Sequence, residues 1–273
     1  LYDVDTLRTF YFTFASSTWY NDLRTARSSK TNVKANLVVD SVLYKDVGVR
    51  FRGVSSYLAV GTKKSINLTM DAFVPDQELM GYDSLNLSNG FNDPTLCREV
   101  LAYGLLRKYM PAPKANYAKV YINGSYFGLY INVQQPNSDM MKEWFRSSGG
   151  NRYRGFPSGG SGGFNNSAYN YLGNVASGYK IGWEFKKGDG TDLMNMITVL
   201  TQTPSSGLLA ALPKVWSIDQ SYWYCALMNG LANTDSYIGT GKDHMKYHDP
   251  VHDLFLMYPF DVNEAIGGQG GRA

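Results

Sequence analysis

The sequence predicts an α+β fold, on three observations. Two hairpin patterns with a marked helix between them occupy the first 135 residues. Helical periodicity takes over after a Gly/Ser-rich stretch at 147–166, and one more hairpin pattern closes the readable part. With 273 residues and 44% apolar composition, the chain is globular and long enough for one large domain or two lobes with a real core.

The first hairpin is KANLVVDSVLYKDVGVRFR (34–52), where two β-rich runs flank a polar turn near Asp40-Ser41. A strand signal in KKSINLTMDAF alternates from Lys63, with Ile66 and Leu68 on one face and Lys63, Ser65 and Asn67 on the other. A helix should follow from Asp93 as N-cap, with Pro94 in the first helical position and an apolar stripe of Leu96, Val100, Leu101 and Leu105 as far as Met110. Pro111 and Pro113 stop it. AKVYINGSYFGLYINV (118–133) is the clearest hairpin, because Asn123-Gly124 is a preferred two-residue turn. The Gly/Ser-rich stretch reads as a mobile loop. Helices are expected at about 190–202 and at 219–232, the second with Asp219 as N-cap. The last hairpin pairs HMKYH with LFLMY around a turn at Asp249-Pro250. The tail IGGQGGRA carries no helix or strand signal.

The net charge of +3 is spread without a long basic run, which argues against nucleic acid as a partner. No stretch approaches the roughly 20 apolar residues of a membrane span, so the chain as given is expected to be soluble. It begins at Leu1 without an initiator Met or a leader pattern, and so reads as a processed product or a fragment. Cys97 and Cys225 lie in apolar helical patterns and read as two buried free thiols, unless the fold brings them together as a disulfide. Asn-X-Ser/Thr sequons at Asn67, Asn86, Asn123 and Asn165 are compatible with export.

Three familiar signatures are missing. GTGKD (239–243) lacks the upstream glycine of a phosphate-binding loop and has Asp where Ser or Thr belongs. No G-x-G-x-x-G opens a helix after a strand, and no G-x-S-x-G elbow presents a serine nucleophile. His244, His248 and His252 are spaced by four, but Asp249-Pro250 interrupts any helix there. Surface histidines are the better reading than a zinc face.

The informative set is Asp235, Asp243 and Asp261. Asp235 lies in NTDSY after an apolar helix, and Asp261 lies in PFDVNEA after the strand LFLMY. Phosphoryl transfer needs one carboxylate to orient or deprotonate the attacking hydroxyl and another to hold Mg2+ on the phosphates. Carboxylates at the ends of a helix and a strand can converge on one cleft. Taken alone, Asp235 and Asp261 read more readily as turn or cap residues, as most loop aspartates do.

Read together, VGVRFRGVSS (47–56), KKSINL (63–68), LNLSNGFNDPTLCREVLAYGLLRKYMPAPKANYAKVYINGSYFGLYINVQQ (85–135) and LMNGLANTDSY…DHMKYHD…PFDVNEA (227–265) resemble the CotH family of spore-coat-H-type atypical protein kinases, in the family's order and over most of the chain. The resemblance implies a two-lobed, atypical protein-kinase-like fold: a β-rich, nucleotide-binding N-lobe at 1–135, and a mainly helical C-lobe with a β-hairpin at 136–273. It implies ATP and Mg2+ as cofactors. Lys63, with Lys64 as the alternative, would contact the phosphates, and Arg52 and Ser55 would lie near them. Glu99 would pair with the lysine or stand as an exposed helix carboxylate. Asn132–Gln135, including Gln134, would be the hinge near adenine. Asp235 would be the catalytic aspartate, Asp261 the principal Mg2+ ligand and Asp243 a second one. Many relatives carry Asn at the position of Asp243 and Glu at that of Gln134, and continue into further helices after the segment equivalent to PFDVNEA.

The resemblance thus points to an enzyme that phosphorylates Ser or Thr of secreted, spore-coat or envelope proteins, with a Ser/Thr-rich protein as its partner. A CotH fold used as a surface adhesion module is the alternative. A carbohydrate-binding or structural surface domain is a third reading that the 14% aromatic content permits.

Overall fold

The structure, a computed structural model, describes residues 1–156 and 169–267. It is α+β and divides into two compact units: Leu1–Gly104 with Pro113–Met140, and Leu105–Ala112 with Met141–Ala273.

The first unit holds β1 (Arg8–Thr13), α1 (Trp19–Ser29), β2 (Val33–Val39), β3 (Val42–Phe51), the single turn α2 (Ser55–Leu58), β4 (Ile66–Thr69) and β5 (Ser84–Ser88). After α3 (Arg98–Leu106) come β6 (Ala115–Ile122) and β7 (Ser125–Gln134); α3 and the following α4 (Ser138–Phe145) are each divided between the two units. The seven strands close into a barrel in the order β1-β2-β3-β4-β5-β7-β6. Closure comes from β1, which pairs antiparallel with β2 and parallel with β6, so that Tyr11 lies between Val38 and Tyr121. Alternation explains why the barrel fills: Phe10 and Phe12 point inward and are buried while Tyr11 faces out. Leu37, Val49, Ile66, Leu68, Leu85 and Leu87 join them in the core, each burial stabilising the fold by about 1.5–3 kcal/mol.

Both hairpins expected here form. Asp40 and Ser41 take left-handed φ of 49° and 65° between β2 and β3, and Asn123 and Gly124 take 48° and 81° between β6 and β7. The helix expected from Asp93 begins later, at Arg98. Leu96, at φ 58°, breaks the first turn, yet Asp93 still holds the start by accepting from Thr95 N (3.1 Å) and Arg98 N (2.9 Å). The strand expected from Lys63 begins at Ile66, so both lysines precede it. Its polar face is buried as well: Asn67 Nδ2 donates to Asn86 Oδ1 at 3.1 Å, and Ser65 Oγ donates to Asn89 Oδ1 at 2.9 Å. The sequons at Asn67 and Asn86 are therefore buried, on the face of β4 and β5 opposite the barrel core, and inaccessible to glycosylation in the folded protein, whereas Asn123 is exposed. Asn165 lies outside the described residues.

The second unit contains β8 (Arg152–Gly155), β9 (Trp183–Lys187), α5 (Thr191–Gln202), α6 (Ser205–Ala211), α7 (Ile218–Gly230), the turn α8 (Tyr237–Thr240), β10 (His244–Asp249) and β11 (Leu254–Pro259). Its sheet runs β11-β10-β8-β9, all antiparallel. The expected helices and hairpin are present. Ser217, rather than Asp219, is the N-cap of α7; Asp219 sits in the first turn, where a negative charge complements the helix dipole. Part of the stretch read as a loop is strand β8, paired on both edges. Residues 157–168 of that stretch lie outside the described residues. Tyr153, Tyr169, Tyr179, Trp183, Trp216 and Phe255 build an aromatic core with Leu193, Met196 and Ile197 of α5. His244 is fully buried among Tyr169, Trp183 and Tyr237, which corrects its reading as a surface residue. Both cysteines are free and half-buried rather than buried. Among the described residues, no helix is long and apolar enough to cross a membrane.

Candidate functional site

In the second unit the loop after α7 sets the geometry. Ala232 takes φ 50°, Asn233 N donates back to Met228 O at 3.0 Å, and Ser236 Oγ donates to Asn233 O at 2.7 Å. Asn233 Nδ2 also donates to Asp261 O at 3.0 Å, which ties the PFDVNEA segment to the loop carrying Asp235. Gly239 in α8 is required for space: a Cβ there would stand 2.1 Å from Thr234 O. The GTGKD segment that resembles a phosphate loop is thus the end of α8, and its lysine has another role.

That lysine, Lys242, bridges two of the three expected aspartates. Its Nζ lies 2.6 Å from Asp235 Oδ1 and 2.9 Å from Asp243 Oδ2. Thr240 Oγ1 also donates to Asp235 Oδ1, at 3.2 Å. Asp243 takes φ 52° just before β10, is 4% exposed, and its other oxygen accepts from Arg154 Nη2. Arg154 reaches Asp243 from β8, with its guanidinium 4.3 Å from the Phe156 ring centre and 3.8 Å from that of Phe260, and pairs with Glu184 at 3.4 Å. Burial works to raise the Asp243 carboxyl, but the charges of Arg154 and Lys242 outweigh it and hold it below the ordinary carboxylate range. For Lys242, burial acts downward and the two carboxylates win, raising it above the ordinary lysine value. Asp261 contributes its carbonyl to this assembly, and its Oδ1 accepts from Asn263 N at 3.3 Å. Among the described residues no three His, Cys, Asp or Glu side chains converge on one metal position.

Arg154 and Lys242 are the members of this site that sequence reasoning missed. The alternation of NRYRGF, with Arg152 and Arg154 flanking Tyr153, was the available signal for a strand that presents Arg154.

The remaining expected residues lie in the first unit. Lys63 Nζ donates to Asn89 O at 3.1 Å and sits 4.9 Å from the Tyr130 ring centre; partial burial lowers its pKa. Lys64 Nζ instead donates to Ala59 O at 2.6 Å and is buried. Arg52 N donates to Ser65 O at 2.9 Å, and Ser55 opens α2 with its side chain exposed. Glu99 is 6% exposed, which excludes the exposed-carboxylate reading. Gln134 ends β7 fully buried. Its Oε1 accepts from Lys114 N at 3.0 Å, while its Nε2 has no partner.

A second polar cluster in the second unit surrounds His248. Asp192 Oδ2 lies 2.7 Å from His248 Nδ1 and accepts from Asn151 Nδ2 at 2.9 Å, while its Oδ1 accepts from the Tyr153 hydroxyl. His248 Nε2 reaches Asp253 Oδ1 at 2.9 Å, and the ring stacks on Phe255 at 4.5 Å. The hydrogen bond to Asp192 raises the His248 pKa above 6.5. Its charged form is therefore favoured by folding, and that stability is present below pH 6.5 and lost as pH rises through the folded value. The His248 contribution to the melting temperature should fall as pH rises above about 6.5, and Asp192→Asn should flatten the fall. Equal slopes in the two proteins would remove His248 as the cause.

The family model described as CotH kinase protein matches residues 49–272. Inner spore coat protein H of Bacillus subtilis (strain 168) is 22% identical over 230 residues, covering 81% of this chain and 59% of that protein. The chain thus spans less than two thirds of the curated relative it matches.

Proposed function

The chain belongs to the CotH family, and on that footing we propose that it is a two-lobed, kinase-like enzyme that transfers the γ-phosphate of ATP to Ser or Thr of coat, envelope or secreted proteins. The observation that carries the reading is the convergence of Asp235 and Asp243 on one cation, the Lys242 ammonium. Mg2+ is ordinarily held by one or two carboxylates together with substrate phosphates, not by an all-protein cage. Hard oxygen donors that already share a cation fit that use. When bound, Mg2+ supplies charge neutralisation on the phosphates.

Asp243 and Asp261 would hold the metal, and Asp235 would take or attract the proton of the attacking hydroxyl. Lys63, whose ammonium is held by a carbonyl and a ring face, can turn to a phosphate at small cost; Lys64 is the alternative. Arg52 and Ser55 would lie near the phosphates, with Glu99 supporting the lysine. The unpartnered Nε2 of Gln134 is the donor this segment has to offer an adenine edge. A location in the spore coat or envelope is part of the proposal, supported by the name of the Bacillus relative.

ATP should bind roughly tenfold or more tightly with Mg2+ than without it. Lys63→Ala should weaken that binding without loss of fold, and Lys64→Ala should not. Calorimetry on the three proteins measures both effects. Equal affinity with and without Mg2+ would end the metal assignment, and damage from Lys64→Ala alone would exchange the roles of the two lysines. The second reading, an adhesion module, draws on Asp243 having both oxygens engaged by side-chain cations. Wild-type protein that binds no nucleotide would favour it.

A further inference from the structure

We propose that Lys242 is a resident cation that bridges Asp235 and Asp243 in the metal-free protein and must leave before a divalent cation can bind Asp243. The inference rests on the kinase-like reading above and adds a regulatory step to it.

Three observations carry it. Lys242 makes a contact of 3 Å or less with each carboxylate, so its ammonium sits where both can reach one positive centre. Arg154 already neutralises the far oxygen of Asp243, and it is fixed by the rings of Phe156 and Phe260, whereas Lys242 stands on a flexible stem in the short link between α8 and β10. Lys242 also has an exit, because its side chain is 25% exposed while that of Arg154 is 16% exposed. Two monovalent charges on one buried carboxylate leave little negative potential for a third cation. A divalent ion therefore competes with the more mobile of the two.

The consequence is a coupling between metal and lysine. Metal binding would free the Lys242 ammonium, and it would release Asp235 from its ion pair so that the carboxylate could face a hydroxyl. A monovalent charge standing in for the metal also keeps the buried Asp243 satisfied when no nucleotide is present.

The test is calorimetric titration of MgCl2, without nucleotide and at low ionic strength, into wild type, Lys242→Met, Lys242→Gln and Lys242→Arg. Both neutral variants should bind Mg2+ at least about tenfold more tightly than wild type, and Lys242→Arg should not. Unchanged affinity in both neutral variants would overturn the inference, as would absence of Mg2+ binding in all four proteins. Using Gln beside Met guards against one variant failing to fold, and circular dichroism shows which are folded. The two levels of the proposal separate in a parallel titration with ATP. Neutral variants no tighter for Mg2+, together with Mg2+-dependent ATP binding by wild type, would sink the lysine's role and leave the kinase-like reading standing. Loss of Mg2+ dependence everywhere would sink both.

Discussion

Asp235→Asn should lower phosphoryl transfer by about 10²- to 10⁴-fold per folded molecule while leaving ATP binding nearly unchanged. The substitution keeps the size and hydrogen-bonding reach of the side chain and removes the charge that would draw a hydroxyl proton. It also removes one of the two carboxylates that hold Lys242. Both partners of that pair are a quarter exposed, so the loss should cost only roughly 1 kcal/mol or less of stability. Transfer to a Ser/Thr-rich acceptor, measured beside thermal melting, separates two roles for Asp235. A residue that merely anchors Lys242 would give the small melting change with full activity per folded molecule. Loss of transfer with intact melting and intact ATP binding is the expected result.

Lys246→Met should stabilise the protein by about 2–4 kcal/mol. Lys246 lies in the middle of β10 at 0% exposure, and its Nζ has no hydrogen-bond partner. The amine faces aromatic rings, 3.3 Å from the Trp216 ring centre and 5.1 Å from that of Tyr169. Burial drives its pKa well below that of an ordinary lysine. Folding must therefore expel a proton from this residue or bury a charge, and methionine, of similar length, does neither. The ring contacts offset about 2 kcal/mol of that cost when the amine is charged.

The pH dependence gives a sharper reading of the same residue. Between the folded pKa and 10.5 the unfolded chain binds the extra proton, so this group makes stability rise with pH by about 1.4 kcal/mol per unit. Denaturant unfolding of wild type and variant at about pH 8 and about pH 9 isolates the effect, because every other group cancels in the difference. A variant no more stable than wild type, with the same pH slope, would show that the amine finds a partner in solution.

Elements read correctly from the sequence are those whose signal is local. Asn123-Gly124 and Asp40-Ser41 adopt the left-handed turns that their residue types favour, and α5 falls within a residue of its expected start. The strand expected from Lys63 starts three residues later, at Ile66. The expected alternation of Ile66 and Leu68 against Ser65 and Asn67 is present, but the polar face is buried by hydrogen bonds of Asn67 with Asn86 and of Ser65 with Asn89, so polarity does not mark the surface. Likewise, the glycines of 147–166 masked β8, because composition averaged over the stretch hid the alternation of Arg152–Gly155.

The sequence by itself determined the α+β class, the three hairpins, the family and the aspartates on which the proposed chemistry depends. Each of these is carried by neighbouring residues or by motifs in order. Tertiary structure decided the rest. Barrel closure pairs Arg8–Phe12 with Ala118–Ile122, and no short-range pattern encodes a partner more than a hundred positions away. The engagement of Asp243 by both Arg154 and Lys242, and the burial of Lys246 and His244 among aromatic rings, arise only when strands β8 and β10 lie side by side. A carboxylate or an amine has the same letter in any environment. Its charge state and its reach depend on what the fold packs against it.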